Sequence, residues 1–441
     1  MNAALRDRPR VVIIGAGFAG VRTAQKLAHA AAEVVLVDCR NYHTFVPLLY
    51  QVATGFIEPS QIAYPLRKLM RQLPSARFIL AEVRRVDFAA RRVETSGPPI
   101  DYDYLVIATG SQTKFLGVPG APDHTLPMRT LEDAIALRNH ILHCFERAAS
   151  TTDWQLRAQL ITFVIVGGGP TGVELAGALQ ELIRESLRKD FPSLDMTQAR
   201  VILVQSGDRL LANLPPHLGK YTSRQLRRRG VKVQLQTKVK AVSARSATLA
   251  DETVLPTSTV IWTAGVVANI PPTDRDLPAA KQNKIVVGPA LQLADHPRVY
   301  VIGDGAYVED SGEPLVGVAP EALQQGSAVA ANIKRQLRGL DPVPFSYFNK
   351  GRAAIIARNA GVAHLFGKLA MSGFGAWLLW LGIHLYYLPG LSNRWNVLAS
   401  WLKDYIIRDR AVRQIIAVPS RLPQVLPEET QPEMPDLSQK S

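Results

Sequence analysis

Six residues near the N-terminus, Gly15 to Gly20, have the spacing G-x-G-x-x-G and could hold a dinucleotide. Gly15 permits a tight turn, Gly17 lets the backbone approach a pyrophosphate, and Gly20 lets a helix pack closely on a strand. The N-terminus of that helix presents free N–H groups to the phosphates. Asp38 follows 18 residues after Gly20, where a carboxylate can accept hydrogen bonds from ribose hydroxyls. The predicted contacts of this dinucleotide are Gly15, Gly17, Phe18, Ala19, Gly20, Asp38 and Cys39.

A second turn of the same type runs from Gly167 to Gly172, about 150 residues after the first. Its partner at the end of the next strand is Gln205, not an acidic residue. A carboxylate at this place repels a 2′-phosphate, whereas glutamine can bond a ribose without repelling one. We therefore expect NADH to bind here without strong exclusion of NADPH. The predicted contacts are Gly167, Gly169, Pro170, Thr171, Gly172, Gln205 and Gly265.

Each turn lies between a predicted strand and a predicted helix, which is the setting of a Rossmann-like domain. Short apolar runs predict strands that are buried on both faces of a parallel sheet, while residues 231–262 alternate and predict antiparallel strands. The chain is thus predicted to be α/β, with one dinucleotide domain for a bound redox cofactor and one for a diffusible donor. The predicted strands are Val11–Ile14, Val34–Val37, Tyr104–Thr109, Ile161–Val166, Val201–Val204 and Val299–Ile302, and the predicted helices are Val21–Ala32 and Val173–Leu187.

Composition narrows the class of protein. A chain of 441 residues has room for two or three domains. Its two cysteines, Cys39 and Cys144, form no C-x-x-C pair, so we expect no disulfide scaffold, metal site or dithiol redox centre. The net charge of +14 indicates an anionic partner, which could be a nucleotide, an anionic lipid or a nucleic acid. Because the chain has no signature of a nucleic-acid-binding fold, we expect no nucleic-acid partner.

The C-terminal segment has the composition of a membrane interface. Residues 341–416 hold nine Lys or Arg against three Asp or Glu, together with four of the six tryptophans. Residues 394–416 predict an amphipathic helix. Leu369 to Leu391 is long enough to cross a bilayer, but its glycines and Pro389 favour monotopic attachment over a span. The predicted apolar face is Trp395, Leu398, Trp401, Leu402, Tyr405 and Ile406, and the predicted basic side is Lys403, Arg408, Arg410 and Arg413.

Two further motifs resemble the remaining FAD motifs of flavoproteins with two dinucleotide domains. One is Ala108-Thr109-Gly110-Ser111, and the other is Val301-Ile302-Gly303-Asp304-Gly305-Ala306. The resemblance implies that Thr109, Gly110, Gly303 and Asp304 contact FAD, with Asp304 near the ribityl and phosphate region.

Three more stretches narrow the resemblance: residues 45–55, residues 319–326, and residues 373–388 with their W-L-L-W and H-L-Y-Y-L. Together they resemble type II NADH dehydrogenase, the single-subunit NADH:quinone oxidoreductase of respiratory chains that does not pump protons. The resemblance covers about residues 10–415 and implies FAD as cofactor, NADH as donor and ubiquinone or menaquinone as acceptor. It implies catalytic roles for Glu174, near the nicotinamide, and for Gln324. Quinone contacts are implied for Gln324, Gln325 and Ala322, although Pro320 replaces a glutamine that many members have.

The expected domains are an FAD-binding domain (1–125 and 281–340), an NAD(P)H-binding domain (126–280), a C-terminal helical membrane-associating segment (341–416) and a mobile tail (417–441). We expect peripheral attachment to an anionic membrane surface on the cytoplasmic face of the cell membrane. The resemblance allows a homodimer, but no residue pattern decides it.

Rival classes remain open at this point. A sulfide:quinone oxidoreductase needs reactive cysteines that Cys39 and Cys144 do not supply. A soluble ferredoxin or disulfide reductase gives no reason for the tryptophan-rich basic end. A basic flavoprotein that acts as a redox sensor without turnover is favoured only by the net charge.

Overall fold

The computed structural model describes residues 8–310, 312–410 and 412–416. The first part of the chain begins with a strand, a glycine turn and a helix, as predicted. That helix begins three residues earlier than predicted, because the N–H of Val21 already donates to Gly17 O at 3.0 Å. The elements up to residue 125 are β1 (Arg10–Ile14), α1 (Phe18–Leu27), β2 (Glu33–Asp38), β3 (Tyr42–Thr44), a 3₁₀ turn (Val46–Leu48), α2 (Leu49–Ala53), α3 (Pro59–Ile62), β4 (Ala63–Pro65), α4 (Leu66–Met70), β5 (Ala76–Leu80), β6 (Val83–Asp87), β7 (Arg92–Thr95), β8 (Ile100–Asp101), β9 (Tyr104–Ile107), β10 (Ser111–Thr113) and α5 (Ala121–His124).

The second part repeats the strand, turn and helix around the second glycine turn. Its elements are β11 (Leu126–Pro127), α6 (Leu131–Ser150), α7 (Trp154–Leu160), β12 (Thr162–Val166), α8 (Pro170–Glu181), a π-helical turn (Leu182–Leu187), α9 (Arg188–Asp190), β13 (Arg200–Val204), α10 (Pro216–Arg228), β14 (Lys232–Gln234), β15 (Val239–Ser243), β16 (Ser246–Leu249), β17 (Val254–Pro256), β18 (Thr259–Trp262) and β19 (Val266–Ala268). A parallel sheet has the order β11-β18-β12-β13-β14. The antiparallel prediction for residues 231–262 is therefore right only for β15–β17 and wrong for β14 and β18.

The third part returns to the first sheet. Its elements are a 3₁₀ turn (Lys281–Asn283), β20 (Ile285–Val286), β21 (Gln292–Leu293), β22 (His296–Val301), a 3₁₀ turn (Gly303–Gly305), β23 (Ala306–Tyr307), β24 (Glu309–Asp310), β25 (Glu313–Pro314) and α11 (Ala319–Gln336). The six-stranded sheet has the order β21-β22-β9-β1-β2-β5, and only β21 is antiparallel in it. Two separate Rossmann-like sheets are thus present, as the sequence predicted.

The last described part consists of β26 (Arg352–Ala357), β27 (Ala360–Leu365), β28 (Leu369–Gly373), α12 (Phe374–Tyr387) and α13 (Leu391–Ile407). The segment contains two helices, as predicted, but three antiparallel strands that the sequence did not predict precede them. The prediction of one helix over 394–416 is wrong, since α13 ends at Ile407 and Arg408 adopts a positive φ of 54°. The predicted tail, 417–441, lies outside the described residues.

The side chains of the two central strands alternate between two apolar layers. In β1, Val11 and Ile13 pack on the side of α1 and α11, while Val12 and Ile14 pack on the opposite side. In β12, alternate residues likewise face the helices α6 and α8 or the sheet β15–β17. Both faces are covered, which is why the parallel strands are continuous runs of apolar residues. Each sheet then presents its glycine turn at the carboxyl end of its central strand.

Several residues predicted for the membrane interface are buried. Trp380 and Trp401 are core residues, and the indole N–H of Trp401 donates to Gln51 Oε1 at 2.8 Å. Arg410, predicted for the basic side of the helix, is 2% exposed and forms a salt bridge with Glu181 at 3.1 Å. The predictions for these residues are therefore wrong. Trp395 is 69% exposed, so part of the predicted apolar face does lie on the surface.

Within residues 8–310, 312–410 and 412–416, no helix combines the length and the apolar character needed to cross a bilayer.

Candidate functional site

The first glycine turn forms a phosphate cradle at the N-terminus of α1. A Cβ on Gly15 would lie 2.4 Å from Ala108 O, and the φ of Gly15 is +98°, so only glycine fits this turn. A Cβ on Gly17 would meet nothing within 4 Å, which leaves open space beside the backbone. No side chain caps the helix at Gly17. The N–H groups of Phe18 and Ala19 at this end are therefore suited to bind an anionic group.

The carboxylate of Asp38 is fixed by backbone amides at the end of β2. Its Oδ2 accepts a hydrogen bond from Ala16 N–H at 2.6 Å, and its Oδ1 accepts one from Arg40 N–H at 2.8 Å. The side chain is only partly buried, and Cys39 next to it is exposed. Both predicted residues thus lie beside the first glycine turn, and Asp38 links β2 to that turn.

The other two flavin motifs lie on the same edge of the sheet. Thr109 follows β9, and its Oγ1 is buried with no hydrogen-bond partner among the described residues. Gly110 has a φ of +70° and open space beside it. Gly303, at the end of β22, has the same φ of +70°. An unpaired buried hydroxyl and an open, uncapped cradle are features that a bound dinucleotide would satisfy, so these residues fit FAD.

Asp304 is held by a residue that the sequence analysis missed. Arg129 forms a salt bridge with Asp304 Oδ2 at 2.5 Å, and Ser111 Oγ donates to the same oxygen at 2.5 Å. These three side chains, with Lys284, line a cavity of about 100 Å³. Arg129 stands before the N-cap of α6 and carries no motif, so the sequence offered no signal for it.

The second glycine turn has the same construction at α8. A Cβ on Gly172 would lie 1.9 Å from Gly167 O, whereas a Cβ on Gly169 would meet nothing within 4 Å. Pro170 and Thr171 begin α8, which no side chain caps. Gln205 Oε1 accepts a hydrogen bond from Gly168 N–H at 2.8 Å.

Gly265 follows β18 at the edge of this second sheet. It has a φ of +77°. The residues predicted for the diffusible nucleotide therefore lie at one edge of the second sheet, where Gly265 joins the glycine turn and Gln205.

Glu174 is a buried acid on α8. Burial raises the pKa of its carboxyl to about 8, although Ile355 N–H donates to Oε1 at 3.2 Å and so opposes the shift. The indole of Trp380 is also close enough to oppose the shift, but it makes no hydrogen bond of acceptable geometry with a described residue. Burial raises the pKa of Tyr50 well above its ordinary value, and the nearby carboxylate of Glu174 adds to this rise. At neutral pH the carboxyl is therefore protonated in most molecules.

A cavity of about 610 Å³ lies between α1, α11 and the ends of the C-terminal helices. Gln324 is in its wall, and its side-chain amide exchanges two hydrogen bonds with the backbone of Phe348. The other lining residues include apolar, aromatic, polar and basic side chains, several of which lie outside the motifs. These residues are Phe18, Val21, Arg22, Gln25, His43, Tyr64, Leu69, Pro320, Leu323, Ser327, Lys350, Tyr386, Tyr387, Pro389 and Arg394.

Gln325 and Ala322 do not line this cavity. Gln325 is 2% exposed, and its Oε1 accepts a hydrogen bond from Gly303 N–H at 2.6 Å. Ala322 is buried near Gly303. These two residues connect α11 to the motif that contains Gly303. Their contact with a quinone remains a prediction.

A row of aromatic side chains joins the surroundings of Glu174 to the cavity. Trp380 lies 6.2 Å from Tyr50 and stacks on His384 at 3.8 Å, measured between ring centroids. From His384 the row continues through Phe45 to Phe18, which lines the cavity. The aromatic row thus runs from the surroundings of Glu174 to the cavity that Gln324 also lines.

The chain is similar to several known proteins. The family model of pyridine nucleotide-disulphide oxidoreductases matches residues 9–326. The chain is 38% identical over 416 residues to the type II NADH:quinone oxidoreductase Ndh of Mycobacterium tuberculosis, covering 90% of this chain and 88% of the relative. It is 36% identical to NdhA of the same organism, covering 92% and 89%. A type II NADH:quinone oxidoreductase of Staphylococcus haemolyticus is 29% identical, covering 82% and 91%.

Solved structures support the fold. The structure of NDH2 from Plasmodium falciparum in complex with NADH superposes with a TM-score of 0.85 at 17% identity, covering 93% of this chain and all of the other. The sulfide:quinone oxidoreductase of Aquifex aeolicus superposes with a TM-score of 0.68 at 18% identity, covering 91% and 96%. The match with the first structure includes the C-terminal part of the chain.

Proposed function

The chain belongs to the type II NADH:quinone oxidoreductases within the pyridine nucleotide-disulphide oxidoreductase family, and from this membership we propose which of its residues bind FAD, NADH and the quinone. The protein transfers electrons from NADH to a quinone by means of FAD. The observation that carries the assignment of sites is the pair of uncapped helix N-termini, α1 and α8, each behind a glycine turn at a sheet edge. We assign the turn at Gly15 to FAD and the turn at Gly167 to NADH.

The flavin site is built from three loops at one sheet edge. The amides at the start of α1 hold the pyrophosphate, and Asp38 orders the turn through Ala16 while facing the ribose. Thr109 Oγ1 supplies a buried donor that has no other described partner. Arg129 holds the carboxylate of Asp304 in place at 2.5 Å. Bound FAD supplies the two-electron chemistry that no side chain here can perform.

The nicotinamide end is assigned to the region of Glu174. Its buried carboxyl carries a proton at neutral pH, because burial raises its pKa to about 8. A neutral acid can donate a hydrogen bond to a substrate carbonyl or amide where a carboxylate would only accept one. We assign Glu174 to ordering the nicotinamide, and to holding a proton close to the reacting groups.

The quinone is assigned to the cavity of about 610 Å³. Its wall offers aromatic and apolar side chains, which suit a quinone ring and an isoprenoid tail, together with the polar Gln324. The residues of the cavity that come from the C-terminal helices, such as Tyr387 and Arg394, place it beside the exposed apolar surface of α13. Pro320 stands in the same wall and has no side-chain amide, so Gln324 is the amide that α11 offers to the quinone.

We assign membrane attachment to the exposed faces of α12 and α13. The large apolar side chains on them that are at least 38% exposed are Phe374, Leu378, Tyr386, Leu391, Trp395, Leu398, Leu402, Tyr405, Ile406 and Ile407. Lys403 and Arg408 are exposed on the same segment and suit anionic headgroups. A patch of this kind is uncommon on a soluble monomer. The attachment proposed is peripheral and monotopic, on the cytoplasmic face; a homodimer and the choice between ubiquinone and menaquinone stay predictions.

The proposed function is tested by steady-state kinetics of the purified, FAD-loaded protein. NADH oxidation, followed by its loss of absorbance, should require a short-chain quinone and should stop when the quinone is exhausted. Oxidation of NADH at the same rate with and without quinone would contradict the assignment of quinone as the acceptor.

A further inference from the structure

In each glycine turn, the backbone N–H of the second residue donates to a side chain at the end of the next strand, but the accepting group differs between the two turns. In the first unit, Asp38 Oδ2 accepts from Ala16 N–H at 2.6 Å. In the second, Gln205 Oε1 accepts from Gly168 N–H at 2.8 Å. Each acceptor stands at the end of the strand that pairs in parallel with the central strand, β2 beside β1 and β13 beside β12. Gln205 therefore keeps the contact that an acid makes in this fold and removes the negative charge.

The absence of a negative charge at Gln205 matters because the end of this strand faces the adenosine ribose when a dinucleotide is bound in this fold. A carboxylate here bonds the 2′-hydroxyl of NADH and repels the 2′-phosphate that distinguishes NADPH. With Oε1 of Gln205 engaged by Gly168, the remaining polar atom of the side chain is Nε2, which is a donor. A donor suits a phosphate oxygen and a ribose oxygen alike.

The loop after Gln205 also carries a cation, Arg209. Leu211 N–H donates to Gly168 O at 2.9 Å, so the loop folds back on the glycine turn. Within this loop, Nη2 of Arg209 donates to Ala212 O at 3.2 Å, whereas its Nε is buried and has no hydrogen-bond partner among the residues that the structure describes. Asp208 is the acidic neighbour, with its carboxylate 3.8 Å from the Arg209 guanidinium and its side chain 69% exposed. An arginine near the end of this strand is the usual partner of a 2′-phosphate.

Resting on the assignment of the second turn to the nicotinamide nucleotide, we propose that this protein oxidises NADPH as well as NADH. Gln205 removes the repulsion that would reject NADPH, and Arg209 supplies the positive charge that a 2′-phosphate requires. The reaction at the nicotinamide is the same for both nucleotides, since the 2′-phosphate lies at the far end of the molecule.

The experiment compares kcat/KM for the two nucleotides, using the full-length FAD-loaded protein and a short-chain quinone. For the natural sequence we expect the two values to agree within about tenfold. Gln205→Glu should lower the ratio of the NADPH value to the NADH value by at least about tenfold, because it restores one negative charge beside the phosphate. Glutamate can still accept from Gly168 N–H, so the fold is kept, and FAD content and melting temperature verify this.

Gln155→Glu is the matched control. It introduces the same charge in the first turn of α7, before β12 begins, whereas Gln205 lies beyond the carboxyl end of the same sheet. The ratio should be unchanged in this variant, and a first-turn glutamate is favourable for the helix. Arg209→Gln should lower the NADPH value more than the NADH value.

NADH turnover with rejection of NADPH by more than about a hundredfold would overturn this proposal alone. An unchanged ratio in Gln205→Glu would also overturn it. A protein that oxidises neither nucleotide would overturn the proposed function and this proposal with it.

Discussion

Gln324 and Phe348 hold each other by two hydrogen bonds of 2.9 Å, with the amide of Gln324 donating to Phe348 O and accepting from Phe348 N–H. The residue assigned to the quinone therefore also fixes the segment that leads from α11 into β26. Because both polar atoms of the amide are engaged with backbone, its orientation in the cavity wall is set before any substrate arrives.

Gln324→Leu should slow reoxidation of the reduced protein by quinone by about tenfold, the cost of one well-placed hydrogen bond, and should affect reduction by NADH much less. Stopped-flow absorbance of the flavin measures the two half-reactions separately. Gln336→Leu is the control, since Gln336 makes two side-chain hydrogen bonds near the other end of the same helix, to Tyr300 and to Pro297 O. Equal losses in both half-reactions of Gln324→Leu would remove Gln324 from the quinone site.

Glu174 should make the protein less stable as the pH rises. Its folded pKa is raised to about 8 from an ordinary value of 4.5, so the folded state binds more protons between these two values. Stability from this group is therefore complete below about pH 4.5 and is lost progressively up to about pH 8. The Glu174→Gln variant cannot ionise at this position, so its melting temperature should fall less between pH 5 and 9 than that of the natural sequence. The difference should correspond to a few kcal/mol in the free energy of unfolding.

Thermal unfolding monitored by circular dichroism checks this, with Glu146→Gln as the control because Glu146 is exposed on α6. Burial also raises the pKa of Glu181, so some decline should persist in Glu174→Gln. A parallel pH profile for the natural sequence and Glu174→Gln would show that Glu174 is ionised in the folded protein.

Arg410 should be essential for stability, because it connects the end of the C-terminal segment to both dinucleotide-binding parts of the chain. Its guanidinium donates to Thr54 O at 3.2 Å and to Ala178 O at 2.7 Å, and it pairs with Glu181 at 3.1 Å. Arg410→Met leaves a buried acid without its partner and should cost about 3–5 kcal/mol in the free energy of unfolding. Denaturation in urea measures this loss.

Arg413→Met is the comparison for that measurement. Arg413 is 26% exposed and pairs with Asp409 at 2.6 Å and with Asp190 at 3.2 Å, and both acids are more exposed than Glu181, so its loss should cost only about 1 kcal/mol. If the two variants were equally stable, the buried network would have no special part in holding the C-terminal segment.

Trp395 should carry much of the attachment to membranes. It is 69% exposed on α13, so Trp395→Ser removes apolar area from the surface assigned to the lipid. Flotation with vesicles that contain anionic lipid should show clearly weaker binding of this variant. Trp154→Ser is the control, since Trp154 is 71% exposed on α7 and should not matter. Equal effects of both substitutions would mean that attachment is not specific to α13.

The glycine turns and their sheets were predictable because their chemistry is local. Gly15 and Gly167 each need a positive φ and a close contact, and apolar runs such as those of β1 and β12 identify buried parallel strands. The departure at Gln205 was visible for the same reason, since its distance from the turn is fixed by one strand–helix–strand unit.

The buried part of the C-terminal segment could not be predicted from periodicity. Trp401 and Arg410 have the spacing and type of interfacial residues, but Gln51 and Glu181, which are distant in sequence, bury them. The strands β26–β28 were missed because the apolar composition of the segment suggested only helices. Arg129 was missed because its role depends on a contact with Asp304, 175 residues away.

An anaerobic visible spectrum tests whether one cradle holds FAD and the other admits the electron donor. The purified protein should be yellow, should lose its flavin absorbance near stoichiometric NADH, and should regain it when a short-chain quinone is added. A preparation that stays colourless after incubation with FAD, or a flavin that NADH does not bleach, would show that the two glycine turns do not have these roles.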